Sequence, residues 1–203
     1  MLTPRAPTSQ PETVRWVWPG WLRLSAMQRR ISGFRLDDDN HWVAVLDCHH
    51  GHHVRHDPPW QLRPWTQTDE GRASMIGEVL ECPKCEWIEV PEGLTHDRTT
   101  AEWDEESVPR AIRRDHRVAS GVWGRVRVLE GSIRFQFADG LGGEVGDDGL
   151  LNTTQVQPIP PGRPHHLEVV GPVRVVVDFL VMPPDGTDLG QPSRPATVDR
   201  EES

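Results

Sequence analysis

The chain is 203 residues long and carries 31 acidic against 22 basic residues, a net charge of −9 that leaves no cationic surplus to displace phosphate counterions and so excludes nucleic acid as a partner. Hydrophobic residues make up only 35%, beside 19 prolines and 18 glycines, which argues for one or two small, loop-rich β domains rather than one large core. No run approaches the roughly eighteen apolar residues of a membrane-crossing helix, so no membrane partner is expected.

Residues 1–26 are rich in proline and threonine, then in tryptophan (Trp16, Trp18, Trp21). They show no period and read as a disordered extension. Their apolar part, Val14 to Leu24, is broken by Arg15, Pro19, Gly20 and Arg23, unlike a secretory signal. The expected location is the cytoplasm, where thiols stay reduced and free to hold metal. Gly33 to Leu36 and His41 to Leu46 flank the acidic turn Asp37-Asp38-Asp39-Asn40 and predict a β-hairpin. A rigid Pro58-Pro59 turn follows, then a short helix with Thr68 or Asp69 as N-cap and Gly77 as stop.

The second hairpin strand runs into Cys48-His49-His50-Gly51-His52-His53-Val54-Arg55-His56, and the chain returns after the helix to Cys82-Pro83-Lys84-Cys85. These two points hold all three cysteines and five of the ten histidines. Three thiolates and an imidazole are what a tetrahedral zinc site requires, and two residues between Cys82 and Cys85 let both sulfurs reach one ion from a tight turn. A redox dithiol or a solvated histidine loop is the alternative. The odd third cysteine favours metal, because a disulfide would leave one thiol orphaned. Cys48, Cys82 and Cys85 are better specified than the fourth ligand, for which His50 and His53 both stand. In a module this polar the ion would contribute to folding itself.

Ile31-Ser32-Gly33-Phe34, Trp42-Val43-Ala44, Cys48-x-His50-Gly51-x-His53-Val54-Arg55-His56-x-Pro58-Pro59, Arg63-Pro64-Trp65, Glu70-Gly71-Arg72-Ala73 and Cys82-x-x-Cys85 together resemble a small bacterial Cys/His-rich family of unknown function, the DUF3565 type, over about residues 27–88. Chains of that family often begin at a Met-Gln-Arg like Met27-Gln28-Arg29, which makes the first 26 residues a start-site extension. His49 and His52 stand where the family usually has Gly and Gln, and are not assigned to the metal. The resemblance implies a metal-bound module and no reaction.

The acidic segment Glu89 to Glu106 is read as the boundary, with a second domain from near Leu94. Two strands are predicted at Val122–Leu129 and Ser132–Phe137, joined by a turn at Glu130-Gly131. Two more are predicted at His165–Val170 and Val173–Val181, joined by Gly171-Pro172. The glycines of residues 140–146 do not follow a strand and open a helix, so this stretch is a hairpin loop and not a phosphate loop. Many short strands with close turns suggest a sandwich or barrel. Asp115-His116-Arg117, Gly121-Val122-Trp123-Gly124, Leu129-Glu130-Gly131, Pro164-His165, Gly171-Pro172-Val173 and Asp178-Phe179 resemble the small cupin-like domain associated with tellurite resistance, over about residues 94–183. That domain also occurs fused to a methyltransferase. This chain has no glycine-rich strand-to-helix turn, and methyl transfer is not carried over.

His116 and His165 are candidate metal ligands by position in that pattern, with Asp178 or Glu168 as the carboxylate. Alternation along the last strand turns Asp178 away from a core made by Val173, Val175, Val177 and Phe179, although both faces are apolar enough to leave the matter open. A hydrogen-bonded structural histidine pair is the other reading.

The expected fold class is therefore mainly β: a small zinc-knuckle (zinc-ribbon-like) module at 27–90, then a cupin-like β-barrel at 94–184, and a disordered tail at 185–203. The expected function is non-enzymatic stress response or small-ligand sensing. Zinc sits in the first domain, and a small anionic ligand is held in the barrel by His116, His165 and arginines such as Arg117 or Arg125. The alternative is a metal-dependent cupin oxygenase or isomerase with a second divalent metal on His116, His165 and a carboxylate. A third reading is a partner-docking module built on the first domain's tryptophans and histidines. Apolar residues on both faces of the last strand suggest a homodimer.

Overall fold

Asp37 makes the first turn: its Oδ1 accepts from Asp39 N at 3.0 Å and from His41 N at 2.8 Å, while Asn40 takes a φ of 59°, a left-handed position that Asn tolerates. The turn joins β1 (Gln28–Leu36) to β2 (Trp42–Leu46) as the expected antiparallel hairpin, with Phe34 opposite Ala44. In this computed structural model the described residues are 27–140 and 149–184. The expected N-terminal extension, most of the glycine loop and the expected tail lie outside them.

β3 (Gly51–His53) adds to β2, and β4 (Val79–Glu81) pairs with the start of β1, giving the order β3-β2-β1-β4. β1 changes partner part-way: residues 28–30 pair with β4, and residues from Ile31 onward with β2. The sheet curls as a result. Between β3 and β4 the chain forms α1 (Asp69–Ser74), whose N-cap Thr68 accepts from Gly71 N at 3.0 Å. After β4 comes α2 (Pro83–Glu86), a single turn with proline at the position where a missing N–H costs nothing.

The second sheet is built on two long strands, β7 (Val122–Phe137) and β10 (His165–Val181), paired antiparallel from Val122 opposite Val181 to Phe137 opposite His165. β5 (Thr95–Thr99) and β6 (Trp103–Asp104) add to β10, while β8 (Leu150–Asn152) and β9 (Val156–Ile159) add to β7. The two turns expected inside these strands do not form. Glu130-Gly131 and Gly171-Pro172 face each other across one continuous ribbon, where the register slips between Val169 and Val173. Pro172 cannot donate to a ladder, and Gly131, at φ 73°, lets the Pro172 carbonyl approach to 2.1 Å from where a Cβ would sit. The strands bulge instead of turning. The bulge also flips the alternation, so Val126 and Val128 before it and Ile133, Phe135 and Phe137 after it share one buried face.

Among the described residues no ladder joins the two edges of this sheet, which is open; the expected cupin-like barrel is not closed by strand pairing. The fold is mainly β, as composition argued. No helix among the described residues is long and apolar enough to cross a membrane. The inner face of the second sheet forms one core. A second core, around Ile31, Ala44, Leu46 and Val54, includes all three cysteines and the buried Trp123 of the other sheet, with Leu180 of β10 packed against it.

Candidate metal centre

Cys48 and His50 are brought to one side by the tight turn after β2. His49 N donates to Leu46 O at 2.8 Å, Leu46 N to His50 O at 2.9 Å, and His49 itself is left-handed at φ 70°. Cys82 and Cys85 approach from α2, with Cys85 N bonded to Cys82 O at 3.2 Å. All four side chains are buried, and their donor atoms lie within 4.8 Å of one another. Sγ of Cys48 is 3.8 Å from Sγ of Cys82, and Nδ1 of His50 is 3.6, 3.4 and 3.6 Å from the sulfurs of Cys48, Cys82 and Cys85. A tetrahedral ion with metal–sulfur bonds of about 2.3 Å and a metal–nitrogen bond of about 2.0 Å has edges of about 3.8 Å between sulfurs and about 3.5 Å from sulfur to nitrogen. The recorded distances match those edges, so the residues fit a zinc-sized ion.

The thiols show why a cation suits them. The Cys48 and Cys85 thiols hydrogen-bond to Cys82 and hold its sulfur well below the usual thiol range. Cys48 is pushed up by its bonds to Cys82 and Cys85 and by burial. At Cys85 the contact with Cys48 favours the anion, but the bond to Cys82 and burial outweigh it and push the thiol up to about 11. Sulfurs this close and this buried oppose one another's ionisation, and a positive ion between them would relieve that opposition.

Arg29 supplies a further positive charge. It is buried, its Nε donates to Cys85 Sγ at 3.4 Å, and its charge lowers the Cys85 thiol. Three thiolates around a divalent ion leave one net negative charge, which the guanidinium balances. Further contacts around the cluster come from the second sheet, although the buried Nε2 of His50 has no hydrogen-bond partner among the described residues. Trp123, fully buried, donates its indole N–H to Cys48 O at 3.1 Å and sets its ring edge-on to His50 at 5.7 Å. His49 Nε2 lies 2.8 Å from Gly121 O, and Ser120 Oγ donates to Asp47 Oδ2 at 3.2 Å.

His53, the other candidate for the fourth ligand, is not in the cluster: it is 59% exposed and 3.3 Å from Asp37. Sequence reasoning missed Arg29 and Trp123. For Trp123 a signal existed, since its odd position puts it on the opposite face of β7 from Val126 and Val128. Arg29 carried none, because nothing local marks one arginine of Gln28-Arg29-Arg30 as buried.

In the second sheet His116 and His165 do meet. Each backbone N–H donates to the other's carbonyl at 3.0 Å, and the ring centroids are 4.1 Å apart. The carboxylate expected beside them is elsewhere. Asp178 is buried on the other face, the one that alternation had left open, where it accepts from Arg127 at 2.8 Å, Arg125 at 2.9 Å and Thr99 at 2.7 Å. Arg127 above all holds it well below the usual carboxylate range. Glu168 is paired with Arg134 at 2.8 Å near the surface. Among the described residues the only group of three or more histidine, cysteine or carboxylate side chains able to hold a metal is Cys48, His50, Cys82 and Cys85. The expected metal set of His116, His165 and Asp178 is therefore not assembled, and Arg125 is committed to Asp178 rather than to the histidines.

Residues 32–89 match the family model described as "Protein of unknown function (DUF3565)". Residues 98–177 match the TehB-like domain. The DUF3565 match spans the Cys/His cluster, and the TehB-like match spans the histidine pair. Among solved structures, an E. coli (strain K12) protein is 24% identical, with 47% of this chain and 97% of that one covered and a TM-score of 0.39. TehB from Haemophilus influenzae is 16% identical, with 45% of this chain and 32% of TehB covered and a TM-score of 0.38. At those TM-scores neither likeness bears on fold or function here. No curated protein matches the chain.

Proposed function

We propose that the chain is a metal-binding, non-enzymatic protein in which one zinc ion staples the DUF3565-type module and the TehB-like sheet holds a small molecule. The edge lengths of the Cys48–His50–Cys82–Cys85 tetrahedron carry the first half of that reading. Zinc is favoured by its soft donors, and four protein ligands leave no open position for substrate, the pattern of a structural site. The sheet's small-molecule role is supported by a cavity on its inner face, lined by His116 and His165. A cupin-like architecture is supported by the two long bent strands around that cavity, and a place in stress response by the TehB-like match.

Elemental analysis of the purified chain should return about one zinc per molecule, lost in Cys82→Ser together with much of the thermal stability. The reading fails if that variant keeps its metal and its melting midpoint.

A further inference from the structure

We propose that the cavity beside His116 and His165 binds a small, neutral, compact apolar molecule through a hydroxyl or N–H donor presented to the two imidazoles. This rests on the small-molecule half of the function proposed above and names the ligand class.

The cavity has a volume of about 200 Å³. Its buried wall is apolar, with Val126, Phe135, Ile159 and Leu167, and the exposed Arg98 and Arg117 mark its mouth. An apolar cavity of about 150 Å³ accepts a benzene-sized guest, so a single ring or a short branched chain fits here.

The polar end is set by two tautomers. Nδ1 of His116 is 3.0 Å from Arg114 O, and Nδ1 of His165 is 2.8 Å from Arg163 O. A carbonyl can only accept, so in each neutral ring the proton sits on Nδ1 and Nε2 keeps its lone pair. His165 is 2% exposed and lines the cavity together with His116. Burial also keeps that ring neutral near pH 7. A ligand donor at this end of the cavity would give these lone pairs a hydrogen bond away from bulk water.

The same geometry selects against the other occupants. An oxyanion at this end would face lone pairs; of the two mouth cations, Arg98 is already paired with Asp97 at 2.8 Å and stacked on Phe179 at 4.5 Å, and Arg117 is exposed, where solvent screens its charge. A metal would find two imidazoles and, among the described residues, no third ligand grouped with them.

The test uses the full, zinc-loaded chain and four probes: phenol, anisole, benzoate and nickel. Imidazole nitrogen shifts of His116 and His165 are followed by NMR during each titration. Phenol should shift both Nε2 signals and bind about tenfold tighter than anisole, which has the ring without the donor. His165→Phe should retain anisole and lose phenol's advantage; His116→Phe is the second variant if the first does not fold. Benzoate binding more tightly than phenol would overturn the proposal in favour of an anion site, and saturable nickel shifts at these rings would overturn it in favour of a metal site. In both cases the small-molecule or ion-binding role of the sheet stands. If none of the four probes moves either ring, the cavity takes no ligand, and that half of the proposed function falls too.

Discussion

Arg29 shows how one side chain can tune a site it does not join. Its guanidinium lies against Cys85 with little solvent to screen it. Removing an outer-shell partner of this kind typically weakens metal binding 10- to 100-fold, by order of magnitude. Arg29→Ala should therefore lose metal to a chromophoric chelator at correspondingly lower chelator concentration, and Arg29→Lys should recover part of the difference. Equal affinities for all three proteins would remove the charge-balance argument. His165 supports a prediction in pH. Burial first, opposed by the hydrogen bond to the Arg163 carbonyl and aided by the neighbouring His116 and His166, pushes its imidazole down from 6.5 to about 4. Between those values the unfolded chain binds the extra proton and the folded chain does not, so stability falls as pH falls through the window, by on the order of 3 kcal/mol. His165→Phe should show a shallower loss in urea midpoints over the same range, with the acid sensitivity of the metal centre common to both proteins. Parallel slopes would show that the ring is not held neutral.

Among the elements, the bulge between β7 and β10 is the feature local pattern misread. Glu130-Gly131 and Gly171-Pro172 are each good turn dipeptides, and a turn at either would be consistent with the residues around it. They fall opposite one another once Phe137 pairs with His165, so both breaks are spent on one register slip in a continuous ribbon. Gly131→Ala would place a Cβ 2.1 Å from the Pro172 carbonyl at a left-handed φ. It should cost about 3 kcal/mol or more in denaturant unfolding, whereas an alanine at the open Gly171 should cost far less. The hairpin at Asp37 and the helix capped by Thr68 were legible because their instructions are local: an acceptor side chain sits two to four residues from the N–H groups it satisfies.

For the molecule as a whole, the candidate metal centre is also the junction between the sheets. Trp123 leaves the second sheet to fill the first core, and Ile88 packs against both cores. Trp123→Ala should cost about 3–5 kcal/mol, the range for a large buried aromatic. Loss of metal should not remain local either. Chelation is expected to lower the melting midpoint of β7 and β10 amides along with those of β1 and β2, in one transition. Separate midpoints, with the second sheet unmoved, would mean that the two cores fold independently.

The amino-acid sequence alone determined the β content, the hairpin and the convergence of Cys48, Cys82 and Cys85, because composition, turn chemistry and the thiol count are local or additive properties. The tertiary structure decided the rest. It chose His50 over His53, since the left-handed His49 directs the one inward and β3 carries the other out to Asp37. It also gave Asp178 to Arg125 and Arg127 instead of the histidine pair, and gave Trp123 to the cysteines. Each of those outcomes depends on strand register and on which face meets a neighbour. Those are set by pairing between residues dozens of positions apart, and no short stretch of the chain encodes them.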